Sequence, residues 1–213
     1  MAVVDAPPPA PRAPVAPPGE TDAARRLWLV RHGESTWNSW GIVQGQLDPV
    51  LSAAGRDQAA ACARMIAAEA RPEAVYSSDL RRALETAAPI ADALGLRVHV
   101  DPDLRERALG EAEGRPSATL GPLRSGIAEG RVVDADAAPF GGESVRELYE
   151  RASGAAARIC AEHDGDVVLV CHGGVVRVLL AWLDGVVPEE MAWPEVGNGA
   201  IVARSVPHRL ISV

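Results

Sequence analysis

Two uninterrupted apolar runs, far apart in the chain, each lead into a histidine followed by glycine. Leu27-Trp28-Leu29-Val30 delivers Arg31-His32-Gly33, and Val167-Val168-Leu169-Val170-Cys171 delivers His172-Gly173-Gly174. A short run without polar interruption reads as a strand covered on both faces, because a strand with one wet face would alternate. Charged residues at the end of such a strand stand at the rim of an open α/β sheet, where ligands bind.

The stretches between these strands carry helical spacing and helix boundaries. Ser52 suits the N-cap of a helix over Ala53 to Ala68, which stacks Ala60, Ala63, Ile66 and Ala67. A short strand at Ala74-Val75-Tyr76 precedes a helix from Leu80 to Leu94, closed by Gly95, and Leu96 to Val100 reads as another strand. A helix beginning at Ser144 puts Val145, Leu148, Tyr149, Ala152, Ala156 and Ile159 on one face; a further helix covers Val175 to Leu183, and a last strand Ala200 to Val206. Strands alternating with helices predict an α/β fold, a mostly parallel central sheet covered on both faces.

One domain is expected over residues 25–206. The Pro/Ala-rich residues 1–24 lack apolar periodicity and cannot offset their ordering entropy, so they read as a disordered tail, with 207–213 as a C-terminal tail. Asp101 to Gly114 is a loop dense in carboxylates. Periodicity fails from Arg115 to Phe140, and a connection this long is expected to be a lid or binding loop, with Arg115, Arg124 and Arg131 available for a second anionic group.

Composition excludes several classes. A net charge of −8 argues against nucleic acid as a partner. All 21 basic residues are arginine, which removes both a lysine Schiff base and a Walker lysine. Cys62, Cys160 and Cys171 are odd in number and widely spaced, against a disulfide framework or a zinc site. No apolar stretch long enough for a membrane span is free of charge, and Asp5 with no apolar core behind it is no secretory signal. A reducing cytoplasm is the expected location, with no membrane partner; a homodimer is left open.

Five blocks occur in order: Arg31-His32-Gly33 with Asn38; Ser78-Asp79-Leu80-Arg81-Arg82-Ala83 with Thr86; Leu104-Arg105-Glu106; Gly142-Glu143-Ser144; and His172-Gly173-Gly174. Over roughly Leu27 to Val206 this pattern resembles the histidine phosphatase superfamily, in its phosphoglycerate mutase-like branch. The resemblance implies a three-layer α/β/α sandwich and a phosphomonoesterase acting on a small phosphorylated metabolite, a sugar phosphate or phosphoglycerate-type compound.

Such a substrate carries nearly two negative charges, so its site needs fixed cations and a nucleophile for phosphorus. The resemblance assigns the cations to Arg31 and Arg82, whose planar forks match phosphate oxygens. Helical neighbours point about 100° apart, so Arg81 is left as a surface charge. His32 is the expected nucleophile, attacking through one ring nitrogen while a hydrogen bond at the other fixes its tautomer, and nearby arginines should keep it neutral. His172 is expected to ligate phosphate together with a backbone N–H at the start of the following helix, at Gly173. Asn38, Gln44 and Gly45 complete the expected phosphate-binding set. Glu106 matches the family's proton donor and would later activate water, with Glu111 as second choice. This chemistry needs no metal and no cofactor. The family often has an aromatic residue where Ala112 stands, which touches the packing near the acid.

Three other readings bear on the same residues. Cys171-His172-Gly173-Gly174-Val175-Val176-Arg177 satisfies the Cys-x-x-Gly-x-x-Arg pattern of cysteine-dependent phosphatases, but leaves Arg31-His32-Gly33 unexplained. A mutase using a bisphosphorylated cofactor shares the histidine blocks but generally carries a longer insertion where only Arg107 to Gly142 intervenes here. A non-catalytic phospholigand-binding protein on the same fold is the third.

Overall fold

The computed structural model describes residues 25–120, 126–207 and 210. The expected N-terminal tail, Arg124 and most of the C-terminal tail lie outside the described residues.

The elements follow in chain order as β1 (Arg26–Arg31), α1 (Thr36–Ser39), α2 (Ala53–Glu69), β2 (Ala74–Ser77), α3 (Arg81–Leu94), β3 (Val98–Val100), β4 (Ile127–Ala128), β5 (Arg131–Val132), α4 (Val145–Glu162), β6 (Val167–Cys171), α5 (Gly173–Asp184) and β7 (Ile201–Ser205). Five strands form one sheet in the order β3-β2-β6-β1-β7. The first four run parallel, and β7 closes the edge antiparallel to β1.

Alternate residues of the central strands feed two separate cores, which is why β1 and β6 are apolar throughout. Leu27, Leu29, Val167, Leu169 and Cys171 pack with Leu148, Ile159 and Leu179 of α4 and α5. Trp28, Val30, Val168 and Val170 face the opposite way, onto Ile66 of α2 and Ile90 of α3. The result is the expected sandwich of helices, sheet and helices.

Helix ends match their sequence signals. The Ser52 hydroxyl accepts the Gly55 N–H, and Ser144 forms a capping box with Glu147. Gly95 closes α3 in the left-handed conformation at φ +68°. One boundary moves: α5 begins at Gly173 rather than Val175, so the helix starts directly behind His172.

The described part of the segment from Arg115 to Phe140 holds regular structure that its missing periodicity did not show. It contains the β4–β5 hairpin, whose strand β5 buries Val132 in the core beside α4. Main-chain bonds hold this hairpin to residues 191–193: the Val132 N–H donates to Met191 O at 2.9 Å, and the Trp193 N–H to Gly130 O at 2.6 Å. Backbone pairing of this kind leaves no period in the side chains.

Candidate active site

Parallel pairing of β1 with β6 puts Arg31 opposite Cys171, so the residues that follow, His32 and His172, emerge side by side at the carboxyl rim. Their ring centroids are 5.1 Å apart. The His32 N–H donates to Cys171 O at 2.9 Å, tying one turn to the other strand. Behind His32 the chain touches α2 so closely that a Cβ on Gly33 would lie 2.3 Å from Gly55 O. Glycine is required at that approach.

His32 is buried, and its Nδ1 lies 2.7 Å from Gly33 O. A carbonyl oxygen only accepts, so Nδ1 carries the proton and Nε2 keeps a free lone pair. Burial first, then the charges of Arg82 and Arg31, hold the imidazole well below its ordinary pKa. His172 is fully buried, with Nε2 2.9 Å from Ser78 Oγ. That oxygen also accepts the Leu80 N–H at 3.3 Å. In the tautomer with the ring proton on Nδ1, the Ser78 hydroxyl, holding the Leu80 N–H on one lone pair, donates to Nε2. Burial and the neighbouring Arg82 keep this ring neutral as well.

Two arginines border His32 in a cavity of about 390 Å³. Arg82, on the first turn of α3, is 1% exposed and donates through Nη1 to Leu47 O at 2.7 Å and through Nη2 to Gly45 O at 2.8 Å. Burial lowers its pKa to about 10, which leaves it charged at neutral pH. Arg31 donates through Nη1 to Val196 O. Among the described residues, four side-chain nitrogens are buried without a hydrogen-bond partner: Arg25 Nε, ahead of β1, and Arg31 Nε, Arg82 Nε and His172 Nδ1. An unsatisfied buried donor costs roughly 1–3 kcal/mol, so Arg31 Nε and Arg82 Nε of the residues lining the cavity, with His172 Nδ1 on the ring next to His32, mark a place built for an acceptor. Arg81, as expected, faces outward and lies 3.9 Å from Glu85.

Asn38 and Gln44 also line the cavity. The Asn38 oxygen receives the Ser35 N–H and Asn198 Nδ2, so its amide NH₂ is what it can offer inward. Gly45 lines the cavity, but its carbonyl aims Arg82. At φ +50° it passes beneath Glu113, where a Cβ would lie 2.0 Å from Oε1.

Glu106 faces the same cavity from the loop after β3. Its carboxylate accepts the Gly174 N–H at 3.1 and 3.2 Å and the Arg107 N–H at 2.9 Å. The helix-start N–H at Gly174 is thereby turned to Glu106, and Gly173, outside the cavity lining, lies beside Arg31 and Arg177 of that lining. Glu111, the second choice for the acid, is exposed and lies 4.0 Å from Arg115. Ala112 is buried in a tight turn outside the cavity lining. Cys171 is fully buried, and burial pushes its thiol pKa strongly upward, away from a nucleophilic thiolate.

The family model described as histidine phosphatase superfamily (branch 1) matches residues 27–209. The chain belongs to that superfamily. Phosphoglycerate mutase-like protein 4 of Arabidopsis thaliana is 44% identical to this histidine phosphatase domain over 156 residues, 71% of this chain and 67% of that protein. The glucosyl-3-phosphoglycerate phosphatase of Mycobacterium tuberculosis is 40% identical over 169 residues, 75% of each chain. Among solved structures, a mycobacterial glucosyl-3-phosphoglycerate phosphatase complexed with VO3 superposes with a TM-score of 0.79 at 35% identity, covering 89% of this chain and 95% of that one.

Within this histidine phosphatase domain, the Glu143-Ser144 block proves to be scaffolding. Glu143 accepts both Arg151 Nε (2.9 Å) and Nη2 (2.7 Å), while Arg151 Nη1 donates to Asp103 O and Arg105 O, so the pair holds the loop carrying Glu106. Arg107, Arg177 and Trp193 line the cavity although the sequence blocks did not single them out. Arg177 could have been found by its place one turn behind His172; Trp193, in an irregular segment, carries no such signal. Conversely, Arg115 and Arg131, expected to reach a substrate, are exposed outside the cavity lining. Among the described residues no group of three or more His, Cys, Asp or Glu stands where it could hold a metal ion, and no helix is long and apolar enough to cross a membrane.

Proposed function

We propose that this protein hydrolyses phosphate monoesters of small metabolites through a phosphohistidine on His32. The observation that carries the reading is the pair of buried, unpartnered nitrogens Arg31 Nε and Arg82 Nε on residues that line the cavity with a neutral histidine whose Nε2 is free, with His172 Nδ1, also buried and unpartnered, on the adjacent ring. The arginines and His172 hold the phosphoryl oxygens, with Asn38 adding its amide. His32 Nε2 bonds to phosphorus as the bond from phosphorus to the leaving oxygen breaks, and Glu106 gives that oxygen its proton. Glu106, now a carboxylate, takes a proton from water as the water oxygen attacks phosphorus. The nitrogen–phosphorus bond breaks, inorganic phosphate leaves, and neutral His32 is restored. The short connection from Arg107 to Gly142 favours water over a second bound acceptor.

Trapping during turnover, without acid, followed by mass spectrometry is expected to place phosphate on His32. His32→Ala should abolish turnover, and Arg82→Met should lower the rate on the order of 10²–10³, as loss of one oxyanion donor does. Cys171→Ser should leave turnover intact, and vanadate should inhibit while a chelator does not. Turnover surviving in His32→Ala but lost in Cys171→Ser would replace this mechanism with a cysteine one.

A further inference from the structure

Beyond Arg31 and Arg82, the cavity has a cation that the phosphoryl chemistry does not use. Arg177, one turn into α5 behind His172, lines it together with Arg31 and His32. Its Nε donates to Pro194 O at 2.6 Å, and its guanidinium lies 5.1 Å from the Trp193 ring centroid. These contacts fix the plane of the fork and leave Nη1 and Nη2 as its remaining donors. Among the described residues it forms no ion pair, whereas Arg107, the other arginine in the wall, is buried against Glu143 O and Ala137 O. A Cβ on Gly173 would lie 3.0 Å from Arg177 Nη1 and 3.5 Å from Arg31 Nε, so the two cations border one small volume. Leu109, Trp193 and Ile127 of the hairpin give the cavity an apolar share of its wall.

We infer that Arg177, seated on Trp193, is a subsite for a carboxylate of the substrate, so that the enzyme selects compact phosphomonoesters bearing an acid group a few bonds from the phosphate. This rests on the phosphomonoesterase reading above and names its substrate class. An end-on pair of N–H donors matches a carboxylate, and the phosphoryl group already occupies Arg31 and Arg82. The β4–β5 hairpin lends Ile127 to the cavity wall and, by bonding to residues 191–193, holds Trp193 beneath the guanidinium. The anion-reading charge thus comes from the helix behind His172, and the segment expected to supply it serves as a brace.

The test compares two substrates that differ only at the acid group, 3-phosphoglycerate and glycerol 1-phosphate. The wild-type enzyme should favour the first in kcat/KM. Arg177→Met should shrink that preference on the order of 10- to 100-fold, the range of a hydrogen-bonded charged group, and Arg177→Lys should restore part of it. Calorimetric binding of both compounds to full-length His32→Ala, with and without Arg177→Met, should show the same change in ratio. Equal losses on both compounds, or an unchanged ratio, would overturn the subsite. If no monoester is turned over while the binding ratio still depends on Arg177, the hydrolytic reading falls and the subsite stands.

Discussion

Acid should destabilise this protein through its two site histidines, in a pH window that separates them from its carboxylates. His32 and His172 are both fully buried and both held well below the ordinary imidazole pKa, by burial first and by Arg82 next. In the unfolded chain each would take a proton near pH 6.5. As pH falls below that value the unfolded state binds protons that the folded state refuses. Their contribution is therefore present in full above about pH 6.5 and is lost as pH falls from there toward the folded values. One proton difference is worth about 1.4 kcal/mol per pH unit, so the pair approaches a loss of about 2.7 kcal/mol per unit. That is a large share of a typical domain's stability of about 5–15 kcal/mol. Asp79 and Asp166 are shifted downward by their arginine and tryptophan partners, so their contribution disappears only at more acid pH, through and below the ordinary aspartate value. The assay is urea unfolding at about pH 7 and about pH 5.5, on the wild type, His32→Asn, His172→Asn and the double variant; this spans the unfolded histidine pKa. Each substitution should flatten the pH dependence, and the double variant should flatten it most. Ring-proton NMR gives an independent readout, since neither site histidine should titrate near pH 6.5 in the folded protein. Parallel stability curves for wild type and double variant would refute the reasoning.

Two further outcomes are expected. Ser78→Ala removes the hydroxyl that, by donating to Nε2, would keep the His172 proton on Nδ1; turnover should fall about 10- to 100-fold, with about 1–3 kcal/mol of stability lost, and the ring nitrogen shifts of His172 should change tautomer signature. A wild-type spectrum with the proton on Nε2 would remove the basis for this. Gly33→Ala forces a Cβ against Gly55 O and should cost about 3 kcal/mol or more by chemical denaturation; a variant as stable as wild type would mean the turn and α2 separate easily.

Much of the site was legible because its residues sit where local rules are strong. The strands β1 and β6 are buried on both faces and so declare themselves by unbroken apolar runs, with His32 and His172 at the ends where a rim must be. Helical geometry turns Arg81 and Arg82 different ways and the family motif picks Arg82; the structure buries Arg82 and exposes Arg81. Glu106 lies in its motif, whereas Glu111 was a candidate only by being a nearby acid, and it faces water.

The chain alone thus determined the elements and their caps, because periodicity and capping act over a few neighbours, while its resemblance to a family supplied the list of groups expected to grip and attack phosphorus. What it could not decide was proximity across the fold. That His32 and His172 meet depends on the parallel register of β1 and β6, set by two cores filling from both sides of the sheet. That Gly174 turns its N–H to Glu106, that Glu143 braces the acid loop through Arg151, and that Arg177 rather than Arg115 or Arg131 faces the cavity all follow from tertiary packing. The β4–β5 hairpin and its hold on Trp193 rest on main-chain hydrogen bonds, which any side chain but proline permits, and so they left no mark in the sequence to be read.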